Sequence, residues 1–366
     1  MNNHVTVLEI DGNALEHNLH YFKNKLEADT KTLVVVKAFG YGSDAAKIAK
    51  LIENNVDYFA VAYTDEGIAL RKARIEKPIL VLHPQIPNLE LIIKHQLEPN
   101  LYNFKIFNAF LELADAKVLL NYPIHLKFNT GLNRIGFLHT DIPLILSKIA
   151  ATSHVKIASL FSHLAASDDV SEKEFTTNQI NDFELIVKQF YTHLEDKPIV
   201  HILNTSGIIN YPQAQFDMVR LGIGLYGFGN DENETKQLKN VLSLKSIISQ
   251  IHTIEPGESI GYNRAFTANK PMKTATIPVG HADGISRKLG NKKYSVLINN
   301  QKAAIIGNVC MDMIMIDISN IECQEGDEVI IFNSQEMVNE MAKKSETISY
   351  EILTAISQRI KRLLKC

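Results

Sequence analysis

Through its first two thirds this chain repeats one pattern, a short apolar run followed by an amphipathic stretch. The runs are Leu33–Lys37, Asp57–Ala62, Pro78–Leu82, Glu98–Tyr102, Ile124–Phe128, Lys156–Phe161, Ile199–Leu203 and Met218–Gly222. Short, apolar and bounded by polar turns, they read as buried strands. Helix-like segments lie between them. In Asp44–Asn54, Ala45, Ile48, Ala49 and Ile52 share one face and Ser43 is placed to cap the start. In Glu174–Leu194, Phe183, Ile186, Val187 and Phe190 fall in step. Eight strands alternating with helices predict an α/β fold, a closed (β/α)8 barrel of the TIM type. An open doubly wound sheet is the competitor, but no Gly-x-Gly-x-x-Gly follows the first run to bind a dinucleotide.

The pattern changes after the polar segment Gly229–Thr235. Runs at Val241–Ile251, Thr274–Val279, Tyr294–Ile298, Ala303–Ile306, Met313–Ile318 and Glu328–Phe332 follow at short intervals without helices between them. This predicts a barrel domain over 1–235 and a mostly β domain over 236–366. The second closes on a helix, Tyr350–Leu364, with Ile352, Leu353, Ile356, Ile360, Leu363 and Leu364 as its apolar set. A 366-residue chain with 45% hydrophobic residues has material for both cores. A net charge of -3 points to no nucleic-acid partner. The start, Met1–Ile10, lacks a basic segment followed by an apolar one, so no signal peptide is expected. No apolar run approaches the roughly 20 residues that cross a bilayer. Cys310, Cys323 and Cys366 cannot all pair and form no cluster, and the histidines lack His-Glu-x-x-His spacing. No metal and a reduced, cytoplasmic setting are expected.

In such a barrel, chemistry collects on the loops after the strands, at one end. Lys37 stands where the first run emerges, before a turn with Gly40 and Gly42. An ammonium there is desolvated, which lowers its pKa and suits a Schiff base to an aldehyde such as pyridoxal phosphate. Tyr41 follows it. Lys127 and Arg134 follow the fifth run, His163 the sixth and Asn204-Thr205-Ser206-Gly207 the seventh, while Arg220, Gly222 and Ile223 lie on and after the eighth. Hydroxyl- and glycine-rich loops after strands seven and eight are the usual phosphate site of this barrel. Thr205 and free backbone N–H groups at Gly222 and Ile223 are candidate donors. Singly, each residue has a plain structural explanation; together at one end they point to a site.

These segments, with Val36-Lys-Ala-Phe-Gly-Tyr-Gly42, His125–Gly131, Asn133–Gly136, Met218–Ile223, Glu258–Tyr262, Gly280–Gly284, Val309–Asp312 and Ile348–Glu351, resemble the alanine racemase family in order and over essentially the whole chain. The resemblance implies pyridoxal 5'-phosphate as cofactor, alanine as substrate and D-alanine for peptidoglycan as product. It implies that Lys37 holds the cofactor and is one base, and that Tyr262, from the partner subunit of a head-to-tail homodimer, is the other. His163 would be the cationic neighbour that a phenol titrating near ~10 requires, held in turn by Arg220. Arg220 would meet the pyridine nitrogen. As a donor that never releases its proton at ordinary pH, it would leave that nitrogen unprotonated. Tyr41, Asn204, Thr205, Gly222, Ile223 and Tyr350 would bind the cofactor, while Arg134, Met311 and Asp312 would face the substrate carboxylate. Lys127 matches a lysine carbamylated in many relatives.

The chain departs from the family pattern in places. Phe39-Gly40-Tyr41-Gly42-Ser43-Asp44 replaces the usual turn, Asn129 the aspartate after Lys127, and His281 and Asn308 a tyrosine and an arginine of the substrate entryway. Two other readings compete. A barrel decarboxylase should place an acid at the ring nitrogen, where Arg220 stands, although Cys310 suits its cross-interface cysteine. A single-barrel cofactor carrier should lack residues 236–366 and Tyr262.

Overall fold

A computed structural model describes residues 5–366. Residues 1–4 of the start Met1–Ile10, read above for a signal peptide, lie outside them. Strand β1 (Val7–Asp11) comes first in the chain. Eight strands then follow in the order expected: β2 (Lys31–Val35), β3 (Tyr58–Val61), β4 (Ile79–Val81), β5 (Glu98–Leu101), β6 (Tyr122–Lys127), β7 (Val155–Phe161), β8 (Ile199–His201) and β9 (Met218–Leu221). They form one parallel sheet in the order β8-β7-β6-β5-β4-β3-β2-β9. Backbone bonds from Asp217 N–H to Val200 O (3.1 Å) and from Arg220 N–H to Leu203 O (3.0 Å) join its two ends, so the sheet closes on itself. Leu33, Val34, Phe59, Ala60, Leu80 and Leu160 are wholly buried, because helices cover the barrel outside while side chains fill its inside. The helices at Ala45–Ile52 and Lys173–His193 fall where periodicity placed them. Ser43 does not cap the first. Its Oγ is buried without a hydrogen-bond partner, and Asp44 enters the helix at φ +77°.

The second unit is a nine-stranded sheet. Its strands are β10 (Leu242–Ile247), β11 (Gln250–Ile254), β14 (Met272–Ile277), β15 (Ser295–Ile298), β16 (Gln301–Ile306), β17 (Ile314–Asp317), β18 (Glu328–Phe332) and β19 (Lys361–Lys365), together with β1. A two-stranded ribbon, β12 (Ser259–Ile260) and β13 (Phe266–Thr267), stands apart from it. The chain divides differently from a single cut at 235/236. Residues 5–16 and 41–44 belong with 239–366, and 17–40 with 45–238. The reason is pairing: β1 lies antiparallel to β10 and parallel to β19.

The expected helix over Tyr350–Leu364 is also corrected. A helix covers only Ser349–Thr354, and the chain then turns into β19. Buried Arg362 drives the turn. Its guanidinium donates to the carbonyls of Ile356 (2.7 Å), Ser357 (2.5 Å) and Ile360 (2.5 Å), groups a continued helix would have paired internally, and to that of Gly42 (2.9 Å).

Candidate active site

Lys37 leaves β2 into a turn of unusual hand. Ala38, Phe39 and Gly40 have φ/ψ of 53/51°, 56/42° and 65/48°, and Tyr41 continues at φ 52°. For an L-residue this left-handed conformation costs roughly 1–2 kcal/mol, so something must hold it. Glu66 does. Its carboxylate accepts from Ala38 N–H (2.6 Å), Phe39 N–H (3.4 Å), Ala62 N–H (2.7 Å) and Tyr63 N–H (3.2 Å), tying the loop after β2 to the loop after β3. Gly42 ends the turn at φ +82°, where a Cβ would stand 2.1 Å from Leu353 O. The sequence reading missed Glu66. Its only signal is an acid in the first turn of a helix, Thr64–Lys72.

At the same barrel end the structure gathers Lys37, Lys127, Arg134, His163 and Arg220. Burial, then Arg134 and Arg220, lowers the Lys37 amine below the ordinary lysine value, opposed by Glu66. Lys127, the last residue of β6, is 5% exposed, and burial followed by Arg134, Arg220 and Lys37 brings it down to about 7. Arg220 is buried on β9, and desolvation lowers it to about 9. Its Nη1 donates to His201 Nδ1 (2.7 Å). Its Nη2 donates to Ser162 O (2.8 Å), Ile202 O (2.8 Å) and His163 Nδ1 (3.1 Å). All these acceptors are neutral. The Nε–H has no hydrogen-bond partner among the described residues.

Because guanidinium only donates, His163 Nδ1 must accept, which leaves the ring proton on Nε2. Burial, then Arg220 and the other cations, pushes His163 well below the ordinary imidazole value. His163 is therefore a neutral N–H donor, and not the cationic neighbour expected from the sequence.

The phosphate-site candidates are partly engaged. Thr205 Oγ1 accepts from Gly222 N–H (3.0 Å) and Gly224 N–H (3.4 Å), so the Gly222 donor is not free as expected. Asn204 caps the helix Thr205–Asn210, accepting from Gly207 N–H (2.9 Å) and Ser167 Oγ–H (2.8 Å). Ile223 opens the short turn 223–226.

In the second unit, Tyr262 stands outward, 71% exposed, in a turn led by Gly261 at φ +73°. Asn308 Nδ2 donates to Tyr262 O at 3.1 Å, so this departure from the family pattern supports the tyrosine's backbone. Met311 is 59% exposed. Asp312 accepts from Arg359 Nη2 (2.7 Å), and Arg359 grips Asp283 through two bonds of 2.6 and 2.9 Å. The Asp312 carboxylate thus serves to fix its loop. Tyr350 is half exposed, its ring 6.2 Å from that of buried Tyr41. Burial, then Tyr350, raises the Tyr41 phenol, which keeps its proton and can donate. Among the described residues no group of three or more His, Cys, Asp or Glu could hold a metal. No helix of the described residues is long and apolar enough to cross a membrane.

A lysine, a neutral imidazole donor and several cations at one barrel end can fix an anionic aromatic aldehyde and exchange a proton beside it. The residues fit pyridoxal phosphate on two observations: a depressed lysine amine, and a guanidinium whose bonds to neutral acceptors run through Nη1 and Nη2 and leave Nε–H out of them.

Comparison with known proteins bears on this geometry. Residues 10–229 match the family model "Alanine racemase, N-terminal domain", and residues 241–364 match "Alanine racemase, C-terminal domain". An alanine racemase of Halothermothrix orenii is 36% identical over 369 residues, spanning 98% of this chain and 97% of the relative. The solved alanine racemase of Clostridium difficile 630 superposes with a TM-score of 0.93 at 34% identity, covering 100% of this chain and 97% of that one. The Bartonella henselae alanine racemase, solved with covalently bound pyridoxal phosphate, gives 0.87 at 27% identity over 99% and 100% of the two chains.

Proposed function

Because the chain belongs to the alanine racemase family, and is an amino-acid racemase on that ground, we propose that it interconverts L- and D-alanine by a two-base mechanism and so supplies D-alanine for peptidoglycan. The observation that carries the reading is the Lys37 amine, lowered by burial among Arg134 and Arg220 at the barrel end.

When bound, pyridoxal 5'-phosphate supplies the electron sink that makes the alanine Cα–H acidic. Lys37 would hold it through Nζ, and the family pattern assigns its phosphate to Tyr41, Thr205, Gly222, Ile223 and Tyr350. Arg220 would offer its Nε–H to the ring nitrogen. A guanidinium that stays charged at neutral pH would keep the sink weak and favour simple proton exchange over transamination. Lys37 Nζ takes or returns the proton on one face of Cα, and the Tyr262 phenol oxygen on the other. His163, a neutral Nε2–H donor, would stabilise the phenolate by hydrogen bonding. Arg134 would pair with the substrate carboxylate, and the Met311 N–H would donate to it. Lys127 near neutrality can exist as the free amine that attacks carbon dioxide, giving a carbamate and one proton; the anion would then hold Arg134.

The second base requires a partner. Tyr262, Met311, Met313, Ile348 and Tyr350 are all exposed on the β unit, a surface that suits burial by a second copy. We therefore propose a homodimer in which each active site takes Lys37 from one subunit and Tyr262 from the other. The direct test incubates the purified protein with L-alanine in deuterium oxide. Loss of the α-proton signal with appearance of D-alanine is expected, and bound cofactor with neither change would overturn the reading.

A further inference from the structure

Inside the barrel, five consecutive strands each contribute one polar side chain to a single hydrogen-bonded line: Glu98 on β5, His125 on β6, Ser159 on β7, His201 on β8 and Arg220 on β9. The links are Glu98 Oε2 to His125 Nε2 (2.7 Å), His125 Nδ1 to Ser159 Oγ (2.6 Å), Ser159 Oγ to His201 Nε2 (3.0 Å) and His201 Nδ1 to Arg220 Nη1 (2.7 Å). His125, Ser159 and His201 are wholly buried. Tyr58 stands edge-on to His125 at 6.0 Å, and Tyr58, Tyr122 and Arg71 face Glu98.

The ends fix the direction of every proton. Arg220 can only donate, so His201 Nδ1 accepts and Nε2 carries the hydrogen. His201 then donates to Ser159 Oγ, leaving the serine hydroxyl to donate to His125 Nδ1. His125 in turn donates from Nε2 to the Glu98 carboxylate. A buried guanidinium whose direct acceptors are all neutral has its nearest charge along this line at Glu98, four hydrogen bonds away. A buried charge without compensation is costly, and chained hydrogen bonds polarise one another.

We propose that Glu98, His125, Ser159 and His201 are positioning residues that act through Arg220. Their one-way line holds the guanidinium in one orientation, in which its Nε–H would be offered to the ring nitrogen of the cofactor. The cofactor end of this proposal rests on the reading of Arg220 given above; the line itself does not.

The experiment uses holoenzyme labelled with 15N-histidine. Imidazole nitrogen shifts between pH 6 and 8 should place His125 and His201 as neutral Nε2–H tautomers throughout. An imidazolium, or an Nδ1–H tautomer at either residue, would overturn the direction of the line. Ser159→Ala removes its middle link. It should weaken cofactor binding to resolved enzyme about tenfold and lower kcat about tenfold at unchanged KM for alanine. Ser159→Thr, which keeps the hydroxyl, should restore both. Wild-type cofactor affinity and kcat in Ser159→Ala would refute the proposal, and should that variant fail to fold, the wild-type tautomers decide. Those signals need no substrate, so failure of the line and failure of the racemase reading are separate results.

Discussion

The two regions that carry the candidate site residues are built on opposite principles. At the barrel end, Lys127 and Arg220 are buried and their charges crowd one another, while fixed carbonyls and imidazoles hold Arg220. On the β unit, Tyr262, Met311 and Tyr350 stand in solvent, 71, 59 and 42% exposed; Asn308 braces the turn of Tyr262, Arg359 braces the loop of Met311 through Asp312, and Tyr350 stands on a short helix. The first region is arranged before anything binds. The second presents groups and supplies no surroundings for them. Preorganisation lowers the cost of binding and reaction, while an exposed catalytic group gains value only when another surface covers it. On the proposed reading, the barrel end supplies the groups arranged before binding, while Tyr262 of the β unit supplies the second base.

Lys37→Ala should have the largest effect, because it removes both the covalent hold and one base. Racemisation should fall at least about ten-thousandfold in both directions, with loss of the bound cofactor's visible band. Retained absorbance and turnover would show that the barrel end is not the cofactor site.

Tyr262→Phe comes next and should separate the two regions. The cofactor should bind as in wild type, while α-proton exchange in deuterium oxide falls about a thousandfold for one enantiomer only. Equal, near-normal exchange from both enantiomers would exclude Tyr262 as a base. Mixing the two inactive variants sharpens the point. If each site draws on two subunits, random mixed dimers contain one site with both native residues, and about a quarter of wild-type activity should return. No recovery after subunit exchange would place Lys37 and Tyr262 of one site on one chain.

Much of the barrel was legible in the sequence, because parallel strands buried on both faces must be continuous apolar runs, and all eight stood out. Lys37, Lys127, His163 and Arg220 were legible for a related reason: barrel chemistry sits where those runs end. What failed to show was decided through space. Strand β1 is a short alternating segment whose partners β10 and β19 lie far along the chain, beyond the whole barrel. The apolar spacing of Ile352, Leu353, Ile356 and Ile360 fits a helix until Arg362 captures the carbonyls. Glu66 and His201 are ordinary residues in sequence. Only the left-handed turn and the buried guanidinium give them work, and neither has a sequence signature.

Lys127 offers a smaller test, with stability as the readout. Its folded value of about 7 lies well below the unfolded lysine near ~10.4. Between those pH values the unfolded chain binds more protons, so its penalty on the fold is full below pH 7 and fades as pH rises toward 10. In protein freed of carbon dioxide, Lys127→Met should raise unfolding stability by roughly 2–4 kcal/mol at pH 6.5 and by little near pH 10. Denaturant titrations at the two pH values measure it. An equal gain at both would mean that packing, and not charge, sets the difference. Activity should fall in the same variant, since crowding cations at the barrel end trades stability for function.

Glu66→Gln should have the smallest effect and tests what preorganises the barrel end. The amide keeps one acceptor oxygen but loses the charge that opposes the lowering of Lys37. It also leaves some of the four N–H groups at Ala38, Phe39, Ala62 and Tyr63 without a partner. Stability should drop by about 1.5–3 kcal/mol, the range for hydrogen bonds to a charged group. Two effects on Lys37 then oppose each other. The amine becomes easier to deprotonate, which moves the acid limb of cofactor uptake by resolved enzyme to lower pH, while the loosened turn slows uptake at the plateau. A stopped-flow pH profile separates them, because electrostatics shifts the midpoint and geometry lowers the ceiling. A moved midpoint with an intact ceiling would mean that the turn holds its shape without Glu66. The roughly 1–2 kcal/mol that each left-handed residue costs would then be met elsewhere, by the bond from Gly40 N–H to Val36 O and the burial of Gly40 and Tyr41.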